Sequence, residues 1–135
     1  MDTIVSEKKV EKTKLIRGKV VTGRQKGREL GFPTANIQCE NKGIKNGVYG
    51  VCVWAKGLIY TGVMNIGVKP TFNQGLERTV EVHLLDFEGN LYGHILECQL
   101  VFKIREEQKF VSIEALKQQI KEDERYARDR FSKMG

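Results

Sequence analysis

Apolar residues recur at every second position along most of this chain, and at every third or fourth only near its end. Between Ile95 and Ile104, the residues Leu96, Cys98, Leu100, Phe102 and Ile104 fall on one side. A period of two is that of a strand with one buried face. Ile16–Thr22, Val48–Ala55, Leu58–Ile66 and Thr79–Phe87 read as further strands, with Lys56-Gly57 closing a hairpin between the second and third of these four. In Thr79–Phe87 one set is Val80, Val82 and Leu84, and the other is Thr79, Glu81, His83 and Leu85. Phe32 precedes Pro33 and is therefore extended. Gly23–Gly31, with glycines at 23, 27 and 31, reads as a loop of close backbone approach, and Asn41–Gly47 as a second loop. Gly67–Arg78, holding Pro70, Asn73 and Gly75, reads as a longer mobile loop, and Glu88-Gly89-Asn90 as a turn. The period then changes. Ile113, Leu116, Ile120, Ala127 and Phe131 form one helical stripe, Ser112 is a good N-cap, and Glu114 suits the positive end of the helix dipole. Five or six short strands followed by one amphipathic helix predict a mainly β fold, a small closed antiparallel barrel with the helix on its side.

Composition adds bounds. The 135 residues, 40% hydrophobic and 30% charged, suit one domain with one core. No apolar run approaches the ~18–20 residues that span a bilayer, so no membrane partner is expected. Met1–Lys19 is charged and lacks the apolar core of an export signal. Cys39, Cys52 and Cys98 are odd in number and far apart, which disfavours a disulfide framework or zinc site and fits a reducing cytoplasm. Cys52 and Cys98 stand within apolar alternations, as buried thiols do.

The net charge of +6 is uneven. Residues 1–28 carry nine Lys and Arg against three Asp and Glu, and the remainder balances at 14 of each sign. Residues 1–14 read as a flexible basic arm or linker remnant, and 15–135 as the folded domain. A basic barrel that binds nucleic acid would interleave aromatic and basic residues on one strand face. Tyr49 and Trp54 instead stand on opposite faces with no basic residue between them, so no nucleic-acid partner is expected.

Four features bear on chemistry. Gly23, Gly27 and Gly31 let backbone N–H groups converge on an anion, and Arg24, Lys26 and Arg28 add positive charge. The loop is neither a Walker A motif, because Gly18-Lys19 is followed by Val20, nor a dinucleotide fingerprint. In extended Pro33-Thr34-Ala35-Asn36, Thr34 and Asn36 point to one side and offer two neutral oxygens. These suit Mg²⁺ that carries phosphate and water as its other ligands, or else they tie down the loop backbone. Glu81 lies mid-strand opposite its valine neighbours, facing either solvent or a functional cleft. At the last strand's junction with the helix, Arg105, Gln108 and Phe110 border a cleft edge suited to a planar ring, unless Phe110 is a hydrophobic staple.

In this order the features resemble the bacterial-type riboflavin kinase domain, over about Arg17 to Arg128. The resemblance rests on Gly27-Arg-Glu-Leu-Gly-Phe-Pro-Thr-Ala-Asn36, Asn65-Ile-Gly-Val-Lys-Pro-Thr-Phe72, Val80-Glu-Val-His-Leu-Leu-Asp-Phe87, Leu91-Tyr-Gly93 and Lys109-Phe110. It implies a six-stranded antiparallel barrel of Greek-key character with a C-terminal helix. It implies transfer of the ATP γ-phosphoryl group to the riboflavin 5′-hydroxyl, giving FMN and ADP with Mg²⁺. By the same resemblance Gly23, Lys26, Gly27, Arg28 and Gly31 would meet the nucleotide phosphates, and Thr34 and Asn36 would hold metal and phosphate. Leu84, Asp86 and Tyr92 would lie along the nucleotide's base and sugar, Glu81 would be the catalytic base, and Arg105, Gln108 and Phe110 would border the flavin. Where the family often has proline after the arginine, this chain has Glu106. Many bacterial relatives join this domain to an adenylyltransferase that makes FAD. Neither His83 nor His94 fits that module's histidine motif, so these residues are expected to stop at FMN, as a free-standing monomer or within a longer bifunctional chain.

Overall fold

A computed structural model describes residues 14–21, 34–39, 43–71 and 75–134. Its strands are β1 (Leu15–Val21), β2 (Ala35–Gln38), β3 (Gly47–Ala55), β4 (Leu58–Thr71), β5 (Gly75–Leu84) and β6 (Ile95–Arg105), followed by helix α1 (Ile113–Lys133). They close into an antiparallel barrel in the order β1-β2-β5-β4-β3-β6. β3, β4 and β5 follow one another as a meander, and β6 returns beside β3, which is the Greek-key arrangement.

Alternation builds the core. Ile16, Val20, Tyr49, Val51, Val53, Met64, Ile66, Val80, Val82, Leu96, Cys98 and Leu100 are buried inside the barrel. Cys98 behaves as a hydrophobe there, its thiol pushed up to about 12 by burial. All three cysteines are free thiols, and Cys52 is only partly buried. Lys56-Gly57 turns the β3–β4 hairpin with φ of 52° and 81°, the two left-handed residues of a type I′ turn.

The helix covers the outer face of the barrel rather than its core. Phe102 and Ile104, expected on the same side as Leu96, Cys98 and Leu100, instead face outward, because the β3–β6 ladder shifts register between Gly50 and Val51, and Phe102 packs with Leu85, Ala127 and Phe131. It lies over Gly50 of β3, its register partner, where a Cβ would overlap the ring. Ser112 Oγ accepts the Ala115 N–H at 3.0 Å, as its N-cap position predicts. Ile113, expected on the buried stripe, is 52% exposed, because the helix seats through its later turns at Asp123 and Ala127.

One expected element is corrected. Within Gly67–Arg78, residues 67–71 and 75–78 are strand rather than open loop: β4 and β5 keep pairing from Gly67↔Thr79 out to Thr71↔Gly75. Pro70 and Gly75 resemble breakers, but β3 begins at Gly47 opposite Ile66, so the outer part of β4 pairs with β5 alone. Proline is tolerated in such a singly paired strand. Thr79–Phe87 likewise ends as a strand at Leu84, since the chain turns at Asp86 with φ of 60°. The arm expected over 1–13 lies outside the described residues. Lys14, expected at its end, is anchored: its carbonyl accepts the Leu100 N–H at 3.2 Å, and its ammonium donates to the Gly43 carbonyl at 3.3 Å.

Candidate active site

A rung of outward-facing residues crosses the barrel wall. Asn36 of β2 pairs in register with Glu81 of β5, and Glu81 pairs in turn with Asn65 of β4. Their sequence neighbours Ile37, Val80, Val82, Met64 and Ile66 are all buried in the core, so strict alternation puts these three polar side chains on the outer surface. The rung continues through Val48 of β3 to Arg105 of β6. A carboxylate, two amides and a guanidinium-bearing position are thus set on rigid strands, their spacing determined by the ladder.

Beside this rung opens a cleft of about 340 Å³. Thr34 and Asn36 line one side, Val82, His83 and Leu84 another, and the 87–92 segment with Leu91 and Tyr92 a third. Apolar Val82, Leu84, Phe87 and Leu91 alternate in its lining with polar Thr34, Asn36, His83 and Asn90, the mix of a small-molecule site. Among the described residues no group of three His, Cys, Asp or Glu side chains could hold a metal unaided. Thr34 and Asn36 are the neutral oxygens on this wall, a set that fits a cation arriving already bound to phosphate.

Asp86 lies at the β5 turn, and its carboxylate pairs with Arg128 of α1 at 3.0 Å, away from the cleft lining. That guanidinium holds the Asp86 carboxyl below its usual range. Arg128 also bonds Glu124, whose carboxylate stands 3.9 Å from His83 on the cleft wall. The helix therefore braces the end of β5.

On the other side of the helix, Arg105 makes a bidentate pair with Asp123, with N–O distances of 2.9 Å from Nε and from Nη2. Asp123 is buried, and Gln119 donates a further hydrogen bond to it at 3.0 Å. The Phe110 ring lies against the Arg105 guanidinium, 5.6 Å from its centroid. Arg105 and Phe110 are thus brought together as expected, while Gln108 is exposed. Glu106, the departure from the family's proline, pairs with Lys103 at 2.7 Å and is held below the usual carboxylate range by that ammonium.

The structure gathers Thr34, Asn36, Leu84 and Tyr92 around the cleft and sets Glu81 next to Asn36. Gly23, Lys26, Gly27, Arg28 and Gly31 lie outside the described residues. Glu107, engaged in this region, carries no periodic signal in the sequence. Asp123 does follow Arg105 on a helix facing it, and a lone acid among apolar stripe positions is a usable hint.

The riboflavin kinase (Flavokinase) family profile matches residues 11–131. The chain belongs to the riboflavin kinase family. It is 50% identical over 121 residues to a Bacillus subtilis protein named RNA-binding riboflavin kinase RibR, covering 90% of this chain and 53% of that one. It is 44% identical over 134 residues to the bifunctional riboflavin kinase/FMN adenylyltransferase of Haemophilus influenzae, covering 97% of this chain and 43% of that one. The chain therefore spans about half the length of these relatives. Among solved structures, the riboflavin kinase of Trypanosoma brucei superposes with a TM-score of 0.62 at 32% identity, covering 88% of this chain and 80% of that one. A Streptococcus pneumoniae protein described as a macrolide-efflux protein superposes with a TM-score of 0.77 at 34% identity, covering 84% of this chain and 38% of that one. The Asn36–Glu81 rung and the Thr34–Asn36 wall of this riboflavin kinase family member both fall within the stretch that the family profile matches.

Proposed function

We propose that this chain is a riboflavin kinase, transferring the γ-phosphoryl group of ATP to the 5′-hydroxyl of riboflavin to give FMN and ADP. The observation that carries the reading is the register pairing of Asn36 with Glu81, at the edge of a cleft that Thr34 shares. It supports a phosphate site and a carboxylate held side by side.

In the reaction the riboflavin 5′-oxygen bonds to the γ-phosphorus while the bond to the β-phosphate oxygen breaks. Glu81 takes the hydroxyl proton, and ADP leaves. Such a transition state is loose, so positioning and charge neutralisation supply most of the acceleration. Thr34 and Asn36 would hold Mg²⁺, which neutralises phosphate charge when bound. Gly23, Lys26, Gly27, Arg28 and Gly31 would cradle the phosphates with backbone N–H groups and cationic side chains. Leu84 and Tyr92 on the cleft wall would contact the nucleotide, and Asp86 would join them only by releasing its pair with Arg128. Arg105, Gln108 and Phe110 would border the flavin ring. The apolar stems and ring at Arg105 and Phe110 support a planar aromatic ligand.

The three free thiols support a reducing, cytoplasmic setting. Adenylyl transfer, named for the Haemophilus relative, is not proposed for these residues, since His83 and His94 form no His-x-x-His pair. The deciding experiment incubates the protein with riboflavin and Mg-ATP and separates the products by chromatography. FMN is expected. Its absence with every divalent metal tried would overturn the reading.

A further inference from the structure

Between β6 and α1, Glu107 leaves its own segment and docks on β4. One carboxylate oxygen accepts the Val68 N–H at 3.1 Å, and the other accepts the Asn46 side-chain amide at 3.1 Å. Asn46 in turn accepts from Arg78 Nε at 3.1 Å, and Arg78 also donates to the Ile44 carbonyl. The docking site is a notch at Gly67, where a Cβ would collide with the Glu107 carboxylate. The Asn65 side-chain oxygen lies 3.6 Å from that same Cβ position, so Glu107 sits on the outer face beside the residue paired with Glu81.

The relay has a direction. Arg78 is donor only, so Asn46 must present its oxygen to Arg78 and its amino group to position 107. Position 107 must accept there and must accept again from Val68. A carboxylate satisfies both demands, and a primary amide satisfies one. The segment held in this way is the one that carries Arg105 and Phe110. We infer that Glu107 is a positioning residue for the flavin: seated over Gly67 and addressed by Asn46 and Arg78, it fixes the Arg105–Phe110 segment against the strand beside Glu81. This inference rests on the riboflavin kinase reading.

A swap of donor and acceptor tests it. Glu107→Gln sets two amino groups against each other, and Asn46→Asp sets two carboxylates against each other. In the double variant the carboxylate at position 46 accepts from both Arg78 and the amide at position 107. The amide carbonyl at position 107 accepts from Val68, so every group is paired again. Riboflavin affinity is read from quenching of its fluorescence, and KM is measured separately for riboflavin and Mg-ATP. Each single variant is expected to weaken riboflavin by about tenfold, the order of a lost charge-assisted hydrogen bond, while leaving the Mg-ATP KM within about twofold. The double variant is expected to return within about threefold of wild type, the coupling that defines a direct interaction. Gly67→Ala, which displaces the carboxylate without altering it, should match Glu107→Gln. Wild-type riboflavin affinity in Glu107→Gln, or a double variant no better than the singles, would overturn the inference. A wild-type protein that neither quenches riboflavin nor makes FMN would instead overturn the kinase reading, and this inference with it.

Discussion

Asn36 and Glu81 are register partners across the β2–β5 ladder, both facing out from a barrel wall whose inner face is Ile37, Val80 and Val82. Directly opposed residues in an antiparallel pair hold their Cβ atoms about 4.5–5.5 Å apart. In the proposed reaction Asn36 would meet phosphate and Glu81 would accept the proton, and an amide and a carboxylate set this way need no loop to bring them together. On that reading the reacting oxygen and phosphorus would meet over a rigid surface, which is what an in-line transfer requires.

Asn36→Ala removes the amide and leaves the strand's inward face untouched. Thermal unfolding should stay within about 0.5 kcal/mol of wild type, as for surface substitutions generally. Mg-ADP binding should weaken by about tenfold or more, the order of one lost charge-assisted contact. Titration calorimetry checks this, and wild-type Mg-ADP affinity would remove Asn36 from the phosphate site.

The Arg105–Asp123 pair is largely shielded from water, with side chains 17% and 6% exposed. Asp123→Ala leaves a guanidinium with no counter-charge in that site, which costs about 3–5 kcal/mol in comparable buried pairs. Asp123→Asn keeps an acceptor for Arg105 and should lose less. Urea denaturation of the two variants should therefore rank alanine well below asparagine. Equal losses would mean that the carboxylate charge, which both variants remove, carries the whole effect, and that the acceptor and volume kept by asparagine add nothing.

The barrel was legible because one face of each strand is buried, so the period of two survives in the sequence. The outer β4–β5 arm was not: Pro70 and Gly75 look like breakers, and only the absence of β3 beyond Ile66 makes them harmless. The placement of Thr34 and Asn36 on the cleft wall, with Glu81 outward beside Asn36, was legible through motif and alternation together. Glu107 was not, because its partners Val68 and Asn46 lie 39 and 61 residues away and its own neighbours are a polar run. Asp123 stands on the helix's apolar stripe between Ile120 and Ala127, so its burial was legible, but its partner Arg105, which reaches it from another element, was not. Tertiary pairing of polar groups leaves no period for a sequence to carry.

Asp86 supplies a pH dependence. Its hydrogen bond and charge pairing with Arg128 lower its pKa from the ordinary 3.8 in the folded protein. A carboxyl more acidic when folded stabilises the fold above its unfolded pKa, and that contribution disappears as pH falls through the folded value. The pair is thus intact at neutral pH and lost in strong acid. Asp86→Asn isolates the charge, since asparagine accommodates the left-handed backbone at this turn, φ 60°. Its Tm should fall below wild type at pH 7, and the gap should close as the pH drops below the ordinary carboxylate range. A gap independent of pH would show that the charge contributes nothing.

Glu81→Gln tests the chemical step itself. Glutamine keeps the size of the side chain and its hydrogen-bonding reach, so the rung with Asn36 and Asn65 should persist. What is lost is the acceptor for the 5′-hydroxyl proton. Base catalysis by a positioned side chain is worth about 10²–10⁴-fold, so kcat should fall within that range. Binding is a separate matter, because on the proposed reading nucleotide affinity would rest on the Thr34–Asn36 wall and riboflavin affinity on the Arg105 side. Mg-ADP and riboflavin dissociation constants should therefore stay within about threefold of wild type, the signature of an interaction made only in the transition state. Unchanged turnover would exclude Glu81 as the base, whereas a fall in kcat matched by equal losses in both affinities would mark it as a structural member of the rung.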